Sequence, residues 1–375
     1  MNILVISSNY PSKSFPNHGA FVYNLMQELG KTNKITIISP SKIHNFYKKN
    51  GKGYGDEICE VKRPYYFSFS NKKLFGFDFE KLTLESYKNS ILKSLRELKT
   101  KPDVIYCHFL SNAVPILDYA IKEKISLVVA SGESSYQNFK NYPIQLKRAL
   151  ISNITRVICV SRENEIQLIN LGFEKEKIKI IPNAVNYNLF KPMDKKICKA
   201  NLGIEEDKFT IGFIGHFIDR KGPNRVIEAI KLLNDSNIKL VCVGNGGQLL
   251  ENSFTTKILP VPNYELPNIF NAFDIFVLPT LHEGHCNAIE EAKACTIPII
   301  SSKGTSVEEQ IDETIGILID PLNIEEISNA IFELKNNSKL LKNLENNLYL
   351  KRGENSIQER GKRINSILES VLTKN

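Results

Sequence analysis

Nothing in this chain is apolar for long enough to cross a bilayer, its seven cysteines never form a Cys-x-x-Cys pair, and no Gly-x-Gly-x-x-Gly follows the first apolar run. The first absence excludes a spanning helix. The second argues against a zinc or disulfide framework. The cysteines, at 59, 107, 159, 198, 242, 286 and 295, sit mostly in apolar strands, so reduced, buried thiols of a cytoplasmic protein are expected. The third absence removes the dinucleotide fingerprint of a Rossmann oxidoreductase. The opening MNILVISSNYPS has no basic n-region and too short an apolar run for a signal peptide, and reads as a first strand. No recognised nucleic-acid motif, internal repeat or low-complexity tract occurs, and nucleic acid is not an expected partner.

What remains is a chain of 375 residues, 42% of them hydrophobic, which exceeds the size at which one core stops growing. Two domains of roughly 150 to 200 residues are expected. The net charge of +8 divides into +11 over residues 1–190 and −3 over 191–375. A first half that carries the whole positive excess should meet an anionic partner or surface. Within it, KRPYYFSFSNKKLFGFDFEKL interleaves Tyr65, Tyr66, Phe67, Phe69, Phe75, Phe77 and Phe79 with Lys62, Arg63, Lys72 and Lys73. Alternation at 65–69 fits a strand with one buried face, and the basic and aromatic mixture also suits an interface with anionic lipid.

Periodicity predicts strands at 2–7, 34–39, 103–108, 126–130, 156–161 and 177–182, with helices at 20–30, 83–98, 112–121, 144–152 and 162–171. The polar, proline-containing segment NAVNYNLFKPMDKKI then reads as a crossover, and the boundary is expected near 190. Beyond it come strands at 209–214, 238–244, 274–278, 297–301 and 316–320, and helices at 223–234, 287–295, 323–335, 337–350 and 355–373. Gly19 precedes a helix, where a missing side chain lets a ligand approach the backbone, although loop glycines are common. His108 ends a strand beside a loop, and SGES (131–134) is a turn at the end of another.

The stretch DIFVLPTLHEGHCNAIEEAKACTIPIISS, residues 274–302, is the pattern of a parallel βαβ unit. Strand ends followed by helix starts are where open α/β sheets bind ligands. Glu283 lies in the loop and Glu291 inside the helix, while Gly284, His285, Cys286 and Asn287 lead into a helix N-terminus, a ready anion site. A phosphate and two hydrogen-bonding carboxylates point to a sugar nucleotide. The plainer alternative is that Asn287 is an N-cap and that Glu290 and Glu291 are first-turn acids favoured by the helix dipole.

GHFIDRKG, VGNGG, FDIFVLPTLHEGHCNAIEEAKA and SSKGTSVEEQ, in that order, resemble the C-terminal domain of the retaining GT-B fold glycosyltransferases of family 4. The first half is similar as well, through HGAFV, DVIYCH, the strand-end Ser161 and IIPNAVN. The resemblance implies two Rossmann-like, doubly wound parallel-sheet domains facing across a cleft. An acceptor-side domain would span 1–190 and be joined by a C-terminal helix at about 355–375, and a nucleotide-sugar domain would span 191–354. It further implies that Glu283 bonds hydroxyls of the donor sugar and Glu291 the ribose, that the amides of Gly284 to Asn287 hold sugar and diphosphate, and that Lys221 neutralises the leaving diphosphate. Gly19 would let the diphosphate lie against the first domain, His108 would reach sugar or acceptor, and Glu308 would be structural. Three positions depart from the family pattern. His216 replaces an arginine, although Arg220 adjoins Lys221; Ala184 and Asn186 replace the linker glycine and aspartate; and Ser131 stands where many relatives have histidine.

The resemblance implies a retaining, metal-independent hexosyltransferase-type enzyme with no cofactor beyond a UDP- or GDP-sugar co-substrate. No Asp-x-Asp pair exists for the metal of the other common transferase architecture. The acceptor is expected to be a lipid-linked or cell-envelope glycan such as capsule or lipopolysaccharide, at the inner face of the cell membrane. The rival from another class is a two-lobed protein that closes on a sugar or nucleotide without chemistry.

Overall fold

The computed structural model describes residues 1–12, 15–16, 18–48, 58–69, 73–74, 77–133 and 135–372; Lys49, Lys52, Lys72, Phe75 and Ser134 lie outside these. Strands β1 (Asn2–Ile6), β2 (Lys34–Ile38), β3 (Glu60–Lys62), β4 (Val104–His108), β5 (Ser126–Ser131), β6 (Ile154–Cys159) and β7 (Ile178–Ile180) form one sheet in the order β7-β6-β5-β4-β1-β2-β3. All of its pairings are parallel, with Ile3 opposite both Ile35 and Val104. Leu4, Ile6, Ile105, Cys107, Leu127 and Val129 alternate onto one buried face. Ile3, Val5, Val104, Tyr106 and Val128 are buried on the other, which is why these strands read as unbroken apolar runs.

A second parallel sheet contains β8 (Phe209–Ile214), β9 (Ile238–Val243), β10 (Thr255–Ile258), β11 (Ile275–Leu278), β12 (Ile299–Ser302) and β13 (Gly316–Ile319), in the order β10-β9-β8-β11-β12-β13. Counted within each half, the orders run 3-2-1-4-5-6-7 and 3-2-1-4-5-6, the doubly wound arrangement with one further strand on the first sheet. The direction of winding reverses between β1 and β4 in the first sheet and between β8 and β11 in the second. Among the helices are α1 (Ala20–Gly30), α2 (Pro223–Leu233), α3 (Asn287–Ala294) and the last, α4 (Ile357–Leu372).

The chain divides into two units, Met1–Ile181 with Gln358–Asn375, and Pro182–Ile357. The boundary therefore falls before the one expected near 190. Val185 and Phe190 are buried in the second core, and Val185 exchanges backbone hydrogen bonds with Asn355 and Ile357, so the crossover segment belongs to the second unit. The returning helix α4 buries Ile364, Leu368 and Val371. Gly361 leaves space that a Cβ would contest with the Glu28 side chain at 2.7 Å, and Asn365 accepts from Asn33 at 2.8 Å.

The helix expected at 112–121 is broken into Leu110–Ala113, a 3-10 turn at Val114–Ile116 and Leu117–Glu123, since Pro115 has no amide to continue the ladder. At 65–69 only Tyr65–Tyr66 pairs as strand, with Ser41–Lys42. The rest runs beside the helix Phe79–Arg96, where the Phe67 amide donates to Ser86 Oγ and the Phe69 amide to Thr83 Oγ1, both at 2.9 Å. All seven cysteines are buried, and none is joined in a disulfide.

Candidate active site

β8 and β11 are neighbours in register, Ile211 opposite Ile275, and beyond their carboxyl ends the chain opens into 215–222 and 279–286. These two loops are laced together. Leu281 N donates to Arg220 O at 2.8 Å, and Thr280 Oγ1 lies 3.2 Å from the same carbonyl. The buried Arg225 donates to Asp219 Oδ1 at 2.8 Å, to Asp219 O at 2.7 Å and to Pro279 O at 3.0 Å, which fixes the short turn Asp219–Lys221 against the end of β11. Gly222 caps α2 with φ of 74°, and a Cβ there would meet Pro279 O at 2.6 Å, so only glycine keeps both loops in place.

That lacing delivers two cations to Glu283. Lys221 Nζ lies 2.5 Å from Glu283 Oε1, Arg220 Nη1 lies 3.1 Å from it, and Thr280 Oγ1 donates to it at 2.8 Å. Arg220 also donates to His282 O at 2.6 Å. His216, by contrast, is exposed, and its Nδ1 lies 3.2 Å from Asn245 Oδ1 in the turn after β9. Of the two residues considered for the diphosphate, Arg220 is the one joined to Lys221 and Glu283.

The loop from Gly284 to Asn287 is held from beneath. Cys286 N donates to Gln310 Oε1 at 2.8 Å and Gln310 Nε2 returns a bond to Cys286 O at 3.0 Å, while Asn183 Nδ2 donates to His285 O at 3.2 Å. One of the four amides expected to hold an anion is thus committed to Gln310. Cys286, not Asn287, is the N-cap of α3, and Asn287 opens the helix with a buried Oδ1 that has no hydrogen-bond partner among the described residues. The plainer alternative from the sequence makes Glu290 a dipole acid. It is instead fully buried, accepting from Gln310 Nε2 at 3.0 Å, Lys293 Nζ at 3.2 Å and Asn355 Nδ2 at 3.3 Å, with His285 Nε2 at 3.7 Å.

Glu291 is half-buried and accepts from Asn263 Nδ2 at 3.1 Å. Burial pushes its carboxyl up to about 8, only partly opposed by that hydrogen bond. The native state therefore keeps the proton between the ordinary carboxylate range and about pH 8, where the unfolded chain has lost it. Stability should fall as pH rises through that window. The melting temperature of Glu291→Gln, measured against wild type from pH 5 to 8.5, is expected to gain on wild type steadily; a constant difference would place the carboxyl in water.

In the first unit, Gly19 is the buried N-cap of α1 with φ of 79°, and a Cβ there would lie 2.3 Å from Asn9 O. The close approach it permits is thus already occupied by its own chain. His108 is buried at the end of β4, with ring centroids 5.2 Å from Phe21 and 4.7 Å from Phe109. Burial, and secondarily the charge of Arg360 from α4, pushes its imidazole down to about 3, so it is neutral; Nδ1 has no partner among the described residues. Phe109 holds φ of 74°, a strained value for a side chain of its size. Ser131 donates to Glu133 Oε2 at 2.6 Å, Ser161 caps its helix by accepting from Asn164 N, and Glu308 accepts from Gly304 N at 2.6 Å.

The family described as Glycosyltransferase Family 4 matches residues 18–189, and that described as Glycosyl transferases group 1 matches residues 194–351. This chain belongs to glycosyltransferase family 4. The family 4 enzyme is 25% identical over 354 residues, 88% of either chain, to TuaC of Bacillus subtilis, named as a glycosyltransferase of teichuronic acid biosynthesis. It is 30% identical over 206 residues, 50% of this chain and 52% of the other, to the UDP-Gal:alpha-D-GlcNAc-diphosphoundecaprenol alpha-1,3-galactosyltransferase of Escherichia coli. Among solved structures, sucrose-phosphate synthase from Thermosynechococcus elongatus superposes with a TM-score of 0.78 at 16% identity, each chain covered in full. Anabaena HepE, solved with UDP and glucose, gives 0.75 at 16%, covering 99% of this chain and 100% of that one. The fold is GT-B. No helix among the described residues is long and apolar enough to cross a membrane.

Proposed function

We propose that this glycosyltransferase moves a sugar from a UDP- or GDP-sugar to a hydroxyl of a lipid-linked or cell-envelope glycan, with retention and without a metal. The observation that carries the reading is the pairing of two cations, Lys221 and Arg220, with a carboxylate at the switch point of the second sheet, beside the N-terminus of α3. Charge that develops on the leaving diphosphate is met there by preplaced donors, which lowers the barrier where it is highest. The amides of Gly284, His285 and Asn287 add to that field, and Glu291 with Asn287 serves the nucleoside and sugar hydroxyls. For retention, a phosphate oxygen of the leaving group takes the acceptor proton on the face where the glycosyl-phosphate bond breaks and the new glycosidic bond forms. The names of the two relatives, one for teichuronic acid and one for a diphosphoundecaprenol acceptor, support an envelope glycan.

A panel of sugar nucleotides, scored for binding and for nucleoside diphosphate release with envelope-lipid acceptors, tests this. Release with one donor is expected, together with weaker donor binding in Arg220→Ala than in His216→Ala. Binding with no release on any acceptor would instead make the chain a two-lobed binding protein.

The acceptor reading includes a surface. Phe67 and Phe69 are 55% and 42% exposed and stack at 6.3 Å, Phe69 lies 6.1 Å from Phe79, and Leu82 and Leu84 are exposed on the adjoining helix next to Lys81. Such a cluster on the positively charged half fits the headgroup region of an anionic leaflet, where each basic residue contributes about 1 kcal/mol. Co-sedimentation at low salt is expected to favour anionic over neutral vesicles, and Phe67→Ser with Phe69→Ser to weaken it by about tenfold. Equal binding to both vesicle types would remove the surface from the account.

A further inference from the structure

All three bonds to Glu283 end on one atom, Oε1, while Oε2 receives none among the described residues. The Lys221 and Glu283 side chains are only 12% and 10% exposed, so solvent screens their attraction weakly. One of the two positive charges that the diphosphate needs is therefore already offset by the protein itself.

We infer that Glu283 is a built-in counter-anion that separates the intact donor from its spent product, an inference that rests on the nucleotide-sugar reading above. An arriving diphosphate draws Lys221 and Arg220 from Oε1 and leaves a carboxylate beside a polyanion. If a sugar is attached, its hydroxyls donate to that carboxylate, through Oε2 first, and replace what the cations gave. Once the sugar has been transferred, only the Thr280 hydroxyl still donates to Glu283, and two like charges share a partly dry site. The carboxylate then recaptures Lys221 and Arg220, and the nucleoside diphosphate is displaced. Glu283 thus sets specificity against product as well as holding the donor sugar.

Calorimetric titration of UDP, GDP and inorganic pyrophosphate into wild type, Glu283→Gln, Glu283→Asp and the double variant Glu283→Gln with Lys221→Met reads this directly. Glu283→Gln is expected to bind pyrophosphate, and whichever nucleotide wild type binds, about tenfold more tightly, the size of one lost charge-assisted contact. The double variant should lose that gain. Glu283→Asp, one methylene short of Lys221, should show a smaller gain of the same sign and serves if the glutamine variant does not fold. A residue that merely braced the loop would weaken binding when replaced. Pyrophosphate binding no tighter than wild type in a folded Glu283 variant overturns the inference. Wild type that binds neither UDP nor GDP overturns the nucleotide-sugar reading instead, and pyrophosphate still decides the role of Glu283.

Discussion

Lys221→Ala is expected to lower turnover at saturating donor by about 30- to 1000-fold while the protein stays folded. The loss corresponds to roughly 2 to 4 kcal/mol of transition-state stabilisation, the usual worth of one preplaced donor on developing charge. The side chain lies in a turn rather than a core, and its removal leaves Glu283 with Arg220 and Thr280, so the melting temperature should move little. Steady-state assays at several donor concentrations separate this from weaker binding. Turnover close to wild type would take Lys221 out of the chemistry and leave the cluster without its main cation.

The largest effect on stability is expected at Glu290. Glu290→Ala strands the amide donors of Gln310 and Asn355 and removes the partner of Lys293, beneath the loop that carries Cys286. Removing one side of a buried, hydrogen-bonded ion pair costs roughly 3 to 5 kcal/mol, a melting shift on the order of 10 °C. Although burial alone would raise its carboxyl, Lys293, His285 and Gln310 together hold it below the ordinary value. Its contribution is therefore present above the unfolded carboxylate range and disappears as pH falls through the depressed native one. The gap between wild type and Glu290→Ala should stay constant near neutral pH and narrow in thermal melts only as pH falls below the ordinary carboxylate value of about 4.3. A variant as stable as wild type at pH 7 would reduce Glu290 to the dipole acid that its place in the first turn suggests.

Most strands of both sheets were legible because a parallel sheet covered on two faces writes itself as apolar runs, and every strand expected within those two sheets is present with its ends within two residues, unlike the one expected at 65–69. The edge strands β3, EVK, and β10, TTKI, were not, since an edge strand is short and half-solvated and so loses that signature. The helix Lys195–Asn201 was also overlooked, although Asp194 caps it by accepting from Lys196 N and Ile197 N, a signal that was available. Glu283 and Glu291 could be named from their spacing and setting. Their environments could not. Arg220 and Glu283 are 63 residues apart, and only the adjacency of β8 and β11 puts one guanidinium on that carboxylate. Gln310 and Asn183 fall inside SSKGTSVEEQ and IIPNAVN, but the sequence does not show that they brace Cys286 and His285, because those backbone partners lie far along the chain.

The return of α4 to the first unit sets an order of events during synthesis. Residues 182–357 make up the second unit, so it can be complete on the emerging chain before the helix that finishes the first has been translated. At about 5 to 20 residues per second, that interval is roughly 10 to 35 s. Throughout it, the apolar surface later covered by Ile364, Leu368 and Val371 and the hydroxyl of Ser126 that bonds Val371 O have no helix to meet. The amino-terminal unit, first to leave the ribosome, is the last to close, and in that interval it is the part of the chain most open to chaperone capture or misassociation.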